Sequence, residues 1–326
     1  MDPARALRYP TETTRARSST RVDMHVASDA RDLHERARGG AVAIGNFDGL
    51  HRGHRALLDR ARALAPGRAG ALTFRPHPVK LLAPHLAPPL LMPYDEKIEG
   101  LRALGLDYTL ELAFTRERAD QAPDAFVKDV LVDGLAVSHV VVGADFSFGK
   151  GGAGKVDALR AHLAPSGALV HVVDAVKEGG LVCSSTRIRQ FVLEGRVDAA
   201  ALLLGHAFTL TGDVVKGDGR GRTIGFPTAN LQTKGETIPK VGVYATWLFV
   251  DGERSPSVTN VGLRPTFQGE GVRIEAHLLD AGRDLYGRRV SLGFVARLRD
   301  EQRFSSAEAL TAQIAIDVRA ARAALA

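Results

Sequence analysis

The fold of the first half is decided by residues 41–65, AVAIGNFDGLHRGHRALLDRARALA. The apolar run 41–44 is typical of a strand buried on both faces of a parallel sheet. Residues 54–65 repeat apolar side chains at helical spacing, and the glycine-rich segment 45–53 connects the two. A strand, a loop and a helix in this order predict the first unit of an α/β domain.

The same alternation continues to about residue 173. Strands that alternate with helices form right-handed βαβ units, so this region is predicted to be an α/β domain with a parallel sheet. Besides 41–44, the strands are expected at 71–74, 108–112, 139–143 and 168–173. The helices are expected at 54–65, 95–105, 122–134 and 156–164.

The pattern changes after about residue 207. Several alternating, β-branched segments without helices between them predict an antiparallel β-barrel. These segments are 208–215, 241–250, 255–262, 273–280 and 288–298. A final helix is expected after the capping box Ser305-x-x-Glu308. The region 187–206 looks helical and joins the two halves.

The composition bounds the class of protein. The chain has 326 residues, 45% hydrophobic and 25% charged, which suggests about two globular domains. No uncharged apolar run approaches the ~20 residues of a membrane span. The single cysteine, Cys183, excludes a disulfide framework and predicts a reducing, cytoplasmic compartment.

The first residues differ in composition from the rest. Residues 1–24 carry five arginines and no apolar periodicity, so a flexible tail is expected. A transit peptide is the alternative, although Asp2 and Glu12 fit it badly. Met24 is a plausible alternative start.

Two histidines stand at the start of the first predicted helix. His51 and His54 are three residues apart, so they project on the same side, and each can donate a hydrogen bond to a phosphate oxygen. Ligands bind at the carboxyl ends of parallel strands, where the N–H groups of the next helix attract phosphate. Gly53 leaves room for a flat base. A plain surface pair is the alternative, and a metal pair would need a third ligand that nothing nearby supplies.

A second helix start carries hydroxyl and guanidinium groups in Ser184-Ser185-Thr186-Arg187-Ile188-Arg189. It follows the last predicted strand of the sheet and suits a triphosphate, although an N-cap with solvated arginines is the plainer interpretation. The segment 149–156, GKGGAGKV, nearly matches a phosphate-binding loop. Val156 replaces the hydroxyl residue that should hold magnesium, so a mobile loop over a ligand is expected instead.

The barrel half holds a second candidate site. In 216–222, KGDGRGR, backbone N–H groups could wrap a phosphate, with Gly219, Gly221 and Arg222 as candidates. Thr228 and Asn230 point the same way in an extended segment, and their oxygens suit Mg²⁺ held jointly with phosphates. A carboxylate in a barrel mouth, Glu275, could take a proton from a hydroxyl that attacks a phosphate. A hairpin turn and a solvated strand carboxylate are the alternatives.

These segments together resemble the prokaryotic bifunctional riboflavin kinase/FAD synthetase (FMN adenylyltransferase) family. The first half is similar through GNFDGLHRGH, TFRPHP, VVGADFSFG and SSTRIR, and the second through GRTIGFPTANL, IPKVGVYA, TNVGLRPTF, IEAHLLD and DLYG. The resemblance covers about residues 38–320 in family order. It implies a Rossmann-like adenylyltransferase domain at 25–190, a helical linker at 191–206 and a riboflavin-kinase barrel at 207–326.

The resemblance implies two reactions. In the barrel, a ribityl hydroxyl of riboflavin attacks the γ-phosphate of ATP and gives FMN and ADP. In the α/β domain, the FMN phosphate attacks the α-phosphate of a second ATP and gives FAD and pyrophosphate. Riboflavin, FMN and ATP are therefore the expected small-molecule partners, with Mg²⁺ as cofactor and with neither nucleic acid nor membrane.

The resemblance also implies roles for single residues. It makes Glu275 the general base of the kinase, Thr228 and Asn230 the magnesium and phosphate pair, and Asp145 and Phe146 flavin contacts. His51 and His54 would stabilise charge on ATP. The remaining ATP contacts would be Gly45, Asn46, Phe47, Asp48, Gly53, Ser184, Ser185, Thr186, Arg187 and Arg189.

Two departures from the family pattern and two alternatives stay open. Lys216 stands where the family often has His, and the loop end 153–155 carries extra positive charge. His77, between two prolines, matches the family pattern without a role that the sequence explains. One alternative is an adenylyltransferase for another phosphate ester, with the barrel as a passenger. The other is a nucleic-acid module, suggested by the pI of 9.6, although no aromatic-studded basic strand supports it.

Overall fold

The computed structural model describes residues 24–217, 225–233, 236–266, 269–280 and 283–326. The predicted tail therefore lies outside the described residues, apart from Met24. The chain folds into two compact units. The described part of the first, called the sheet unit, comprises 24–88 and 94–183, and the second, called the barrel unit, comprises Pro89–Pro93 and Ser184–Ala326.

The sheet unit contains a parallel sheet in the order β1-β4-β3-β2-β5-β6. All five predicted strands are confirmed, and β1 at the edge adds a sixth that is too short to show periodicity. The strands are β1 (His25–Ala27), β2 (Ala41–Ile44), β3 (Ala69–Arg75), β4 (Tyr108–Ala113), β5 (His139–Gly143) and β6 (Leu169–Val173). The chain runs outward from β2 to β4 and then returns to the other side of β2, so the strand order reverses between β2 and β5.

Helices connect these strands, and their bounds are α1 (His34–Ala37), α2 (Arg52–Leu64), α3 (Pro78–Leu82), α4 (Tyr94–Ala103), α5 (Arg116–Ala119), α6 (Pro123–Phe126) and α7 (Val156–Leu163). The region predicted as one helix at 122–134 is α6 followed by a π-helix, Val127–Val132. Short 3-10 helices occupy Ala30–Leu33, Pro84–Leu86, Lys150–Gly152 and Ala164–Ser166.

The core of the sheet unit follows from its apolar strands. All four residues of β2 are buried, as expected for a strand covered on both faces. The large ring of Tyr108 is fully buried, and its hydroxyl donates to the Ala41 carbonyl at 2.9 Å. Gly70 makes room for it, because a Cβ there would lie 2.2 Å from the ring. A small hairpin, β7 (Lys177–Glu178) and β8 (Leu181–Val182), then follows β6.

The barrel unit contains a closed antiparallel barrel in the order β10-β13-β12-β11-β14-β9. The five predicted segments are confirmed as strands, and β10 is a further one. The strands are β9 (Phe208–Val215), β10 (Ala229–Gln232), β11 (Gly242–Val250), β12 (Glu253–Thr266), β13 (Gly269–Leu278) and β14 (Arg289–Arg299). Its helices are α8 (Ser185–Leu193), α9 (Val197–Leu204) and α10 (Ala307–Leu325).

Alternation along the strands gives the barrel wall two faces. Tyr244 and Leu248 of β11 are fully buried in the interior. Thr246 lies between them, and its hydroxyl is 2.7 Å from the Ser257 hydroxyl and from the Thr259 hydroxyl. These buried polar groups thereby satisfy one another. On the other face, Val243, Ala245 and Val258 cluster with Ala321 of α10.

Two expectations about helix starts are wrong. The N-cap of α10 is Ser306, whose Oγ accepts from the Ala309 N–H at 3.2 Å. The capping box at Ser305 and Glu308 is therefore not formed, because the extended residue that ends the loop is the second serine of the pair. Helix α8 does not follow the last strand of the sheet directly, since the β7–β8 hairpin intervenes.

A buried ion pair attaches α10 to the barrel. The Arg299 guanidinium donates Nε to one Asp317 oxygen at 2.9 Å and a terminal nitrogen to the other at 2.7 Å. Gln313 donates to the same carboxylate at 3.0 Å. Asp317 is only 4% exposed, so its charge depends on these partners.

We expect Asp317→Ala to lower the free energy of unfolding of the barrel unit by about 3 kcal/mol, because it leaves a mostly covered guanidinium unpaired. Trp247, the only tryptophan in the sequence, lies in β11, so tryptophan fluorescence during urea unfolding reports this unit. Asp280→Ala is the matched control, because Asp280 also pairs with an arginine of α10, Arg322, but at an exposed position. It should change stability by less than ~0.5 kcal/mol, and equal effects of both substitutions would contradict the assignment.

Candidate active sites

The loop between β2 and α2 lies at the carboxyl end of β2, where the strand order reverses. That position is where open α/β sheets bind ligands. Two residues of the loop other than glycine have left-handed backbones, Phe47 with φ 52° and Leu50 with φ 43°. Such conformations cost on the order of 1–3 kcal/mol each and persist only where packing imposes them. Phe47 is fully buried and Leu50 is 3% exposed, so the packing of their side chains holds the loop.

His51 and His54 are brought together at the start of α2. His51 is the N-cap, and its Nδ1 accepts a hydrogen bond from the His54 backbone N–H at 3.2 Å. In the neutral ring the proton of His51 must therefore lie on Nε2, which makes Nε2 a donor. The two rings stack with centroids 3.6 Å apart. A Cβ at Gly53 would lie 3.1 Å from the His51 ring and 3.2 Å from the Cys183 carbonyl, so a larger residue there would fit tightly against both.

The His54 ring lies in a buried environment. It meets the Phe47 ring edge to face, with a centroid distance of 5.3 Å. Nδ1 of His54 is buried without a hydrogen-bond partner among the described residues. Burial, and then the neighbouring His51 and Lys97 charges, hold the pKa of His54 well below the usual 6.5. At neutral pH this ring acts as an uncharged hydrogen-bonding group. It can therefore stabilise phosphate charge through a hydrogen bond and not through a positive charge of its own.

The other residues of this loop that were predicted to contact ATP differ in their hydrogen bonds and in their burial. Gly45 donates its N–H to the Leu72 carbonyl at 3.1 Å. The Asn46 carbonyl accepts from Thr73 Oγ1 at 3.2 Å and from Lys97 Nζ at 3.3 Å. Asp48 is 4% exposed. The loop is thus fixed by its backbone as much as by its side chains.

Lys97 of α4 is a residue that the sequence analysis missed. It is 4% exposed and shares the buried face of α4 with Leu101. A lysine within the apolar stripe of a predicted helix was the signal in the sequence that could have identified it. Its Nζ donates to Thr73 Oγ1 at 3.0 Å and lies 4.8 Å from the centre of the Tyr94 ring.

His77 now has a structural role. Its Nδ1 accepts from the Val79 N–H at 3.3 Å, which makes His77 the N-cap of α3. Its backbone N–H donates to the Tyr94 hydroxyl at 2.7 Å. His77 therefore shapes the chain beside the site through a helix cap.

The predicted flavin contacts follow β5. Asp145 is exposed, and Phe146 packs on Phe148 with ring centroids 5.5 Å apart. Two backbone hydrogen bonds between Phe148 and Gly154, 3.0 and 2.9 Å long, close the loop 149–153 on itself. Helix α7 begins only at Val156. The rejection of a phosphate-binding loop therefore still rests on Val156 and stays a prediction.

The predicted triphosphate residues begin α8, which belongs to the barrel unit. Ser184 is the N-cap and accepts from the Arg187 N–H at 3.4 Å. Thr186 and Arg187 are exposed. Arg189 is 8% exposed, and its Nε donates to the Pro89 carbonyl at 2.8 Å. The Arg189 side chain therefore also supports the backbone of its own unit.

The barrel wall brings Thr228, Asn230 and Glu275 together. Asn230 of β10 lies directly opposite Glu275 of β13. Thr228 Oγ1 is 3.5 Å from Glu275 Oε1. Arg273 forms an ion pair with that same oxygen. Gly219, Gly221 and Arg222 lie outside the described residues.

The sequence left two positions open for Glu275, the barrel mouth and the solvent-facing side of its strand, and the structure favours the second. The strand neighbours of Glu275, Ile274 and Ala276, are buried in the interior, so alternation places Glu275 on the outer face. The side chain is nevertheless only 17% exposed. Asn260 of β12 lies opposite Glu275 on its other side. The three strands thus align two amides and a carboxylate in one row.

Neither site provides a dense set of metal-binding side chains. Across the described ranges, no group of three or more His, Cys, Asp or Glu residues lies together. A cation beside Thr228 and Asn230 would be held by hydroxyl and amide oxygens and by substrate phosphates, which is typical of Mg²⁺. In the same part of the chain, no helix is both long and apolar enough for a membrane span.

We expect the His54 ring to stay neutral as the pH is lowered through 6.5. Below pH 6.5 the His54 ring binds a proton in the unfolded chain but not in the folded chain. Protonation therefore favours the unfolded state, and the free energy of unfolding decreases as the pH falls. The ring resonances of His54, assigned by comparison with His54→Gln, should titrate well below pH 6.5. A midpoint at or above 6.5 would contradict the buried environment.

Comparison with known proteins covers both units. The FAD synthetase family model matches residues 33–187, and the riboflavin kinase (flavokinase) model matches residues 204–325. The bifunctional riboflavin kinase/FMN adenylyltransferase of Escherichia coli K12 is 41% identical over 87% of this chain and 92% of that protein. The Pseudomonas fluorescens protein of the same name is 40% identical over 92% of this chain and 97% of that protein.

A solved structure described as a macrolide-efflux protein from Streptococcus pneumoniae is also similar. It has a TM-score of 0.82 and 29% identity over 92% of this chain and 98% of that one. Family models, relatives and architecture agree over nearly the whole chain. The chain therefore belongs to the bifunctional riboflavin kinase/FMN adenylyltransferase family, with its FAD synthetase part preceding its riboflavin kinase part.

Proposed function

We propose that this chain phosphorylates riboflavin to FMN and then adenylylates FMN to FAD, with each reaction at its own site. The adenylyltransferase domain is assigned to 25–190, the helical connection to 191–206 and the kinase domain to 207–326. The stacked His51 and His54 pair at the strand-order reversal is the observation that carries the adenylylation. Among the described residues of the sheet unit, only here does a strand lead into a helix whose first turn carries two adjacent imidazoles, and this supports the assignment.

Adenylyl transfer needs neutralisation of phosphate charge rather than a covalent intermediate. An oxygen of the FMN phosphate attacks the α-phosphorus of ATP, and pyrophosphate leaves. The Nε2–H of His51 and the first backbone N–H groups of α2 would donate to phosphate oxygens. His54 adds a neutral ring, and its Nε2 can form a hydrogen bond. Ser185, Thr186 and Arg187 are proposed to hold the triphosphate.

Phosphoryl transfer in the barrel unit needs a base and a cation. The ribityl hydroxyl of riboflavin attacks the γ-phosphorus, ADP leaves, and Glu275 takes the hydroxyl proton. Arg273 orients that carboxylate through their ion pair. Thr228 and Asn230 would hold Mg²⁺, which when bound neutralises phosphate charge. Their oxygen chemistry and their position beside Glu275 support this assignment.

The expected ligands are therefore riboflavin, FMN and ATP with Mg²⁺. A cytoplasmic location is proposed from the single cysteine, Cys183, which is buried and free, because such a chain has no need of an oxidising compartment.

Glu275→Gln should reduce FMN formation by about 10²–10⁴-fold, because the amide keeps the shape but cannot accept the proton. Adenylylation of supplied FMN should be unchanged. Glu253→Gln is the matched control, because Glu253 forms an exposed ion pair with Arg283 on the same barrel. Chromatography of the flavins separates the two products, and an equal loss of both activities with the fold intact would contradict two separate sites.

His51→Ala should have the opposite effect. Loss of the Nε2–H donor and of the α2 cap should lower FAD formation from supplied FMN by about 10²–10³-fold, while FMN formation from riboflavin continues. His85→Ala, at an exposed position of the same unit, is the control. Unchanged FAD formation in the His51 variant would overturn the role assigned to this residue.

A further inference from the structure

The ammonium group of Lys97 is held by two hydrogen bonds and an aromatic ring. It donates to Thr73 Oγ1 at 3.0 Å and to the Asn46 carbonyl at 3.3 Å, and it faces the Tyr94 ring at 4.8 Å. Only 4% of the residue is exposed. Because Lys97 is almost completely buried and its ammonium group is held by these contacts, we infer that it acts on the reaction through the groups that it contacts.

Those groups belong to the strained loop. Asn46 immediately precedes Phe47, the first left-handed residue. Gly100, one turn further along α4, leaves the space that Leu50 fills, because a Cβ there would lie 2.3 Å from Leu50 Cδ1. Leu50 is the second left-handed residue and directly precedes His51. Helix α4 thus supports both ends of the segment that leads to the histidine pair.

We propose that Lys97 is a positioning residue for adenylyl transfer, which holds the loop 46–50 in the conformation that aims His51 at the phosphates. This inference rests on the function proposed for the sheet unit. It assigns the reaction a residue that does not contact substrate, and it makes the charge on Lys97 a condition for full activity.

The charge on Lys97 is itself pH-dependent. Burial lowers the pKa of Lys97 from 10.5 to about 8, because nearby carboxylates offset the desolvation only in part. Above about pH 8 the amine loses its charge and with it part of its attraction for the carbonyl and the ring. The charged or titratable groups that face it are Asp48 on the loop, Arg75 on β3, Tyr94 on α4, Glu111 on β4 and His54 on α2.

The unmodified chain gives the first test. The kcat/KM for FAD formation with limiting ATP reports ionisations of the free enzyme. It should fall with a midpoint near pH 8, and kcat/KM for FMN formation, measured on the same preparation, should not show that midpoint. Absence of FAD formation at every pH would instead refute the proposed function, before any variant is made.

Lys97→Met and Lys97→Arg give the second test. The methionine variant should lose about 10–100-fold in kcat/KM for FAD formation, because small displacements of aligned groups have effects of this size. It should also lose the midpoint near pH 8. The arginine variant should recover part of the activity, with no decline up to pH 10, because its charge persists. Lys128→Met, at an exposed lysine paired with Asp133, should behave like the unmodified chain.

Gly100→Ala separates sterics from charge. The new methyl group should displace Leu50 and lower FAD formation, and it should leave the midpoint near pH 8 in place because the ammonium group remains. FMN formation serves as the control in every variant.

Two results would overturn the inference. One is a folded Lys97→Met variant whose kcat/KM and pH profile match those of the unmodified chain. The other is an unmodified chain that forms FAD without any decline near pH 8, which decides the matter even if the methionine variant fails to fold.

Discussion

The candidate site of the sheet unit depends on a left-handed backbone conformation at two bulky residues, which they would not adopt without support from packing. Phe47 and Leu50 both lie in the left-handed region, and their buried side chains together with the hydrogen bonds to Asn46 keep them there. This conformation turns the chain from β2 into α2 within a few residues. It leaves His51 as the helix cap and His54 stacked on it. The candidate site is therefore a consequence of core packing beneath it.

The two units present their proposed phosphate-binding groups in different ways. The sheet unit offers a helix start with the stacked imidazoles of His51 and His54, so donors there come mainly from N–H groups. The barrel unit offers oxygens, with Thr228 and Asn230 beside Glu275, which suits a cation between protein and phosphates. We propose that ATP is bound by hydrogen-bond donors in the sheet unit and through a metal ion in the barrel unit. This difference allows each reaction to be perturbed separately.

The sequence predicted most of the architecture because apolar runs and alternation directly reflect burial. The strands β2, β5 and β9 have the predicted bounds. Glu275 shows the limit, because alternation predicts two faces of a strand and does not tell which one fills the barrel. The N-cap of α10 is Ser306, one residue after the predicted Ser305, since adjacent serines are equally good caps. Lys97 could not be assigned, because its partners Asn46 and Thr73 are distant in sequence and meet only in the folded unit.

The proposed function places two sequential activities on a flavin in one polypeptide. The most direct measurement is a time course of flavins and pyrophosphate after the purified chain is mixed with riboflavin, ATP and Mg²⁺. We expect FMN to appear first, FAD to follow after a lag, and one pyrophosphate to be released for each FAD. Riboflavin that stays unphosphorylated, or FAD that accumulates without stoichiometric pyrophosphate, would contradict the proposed function.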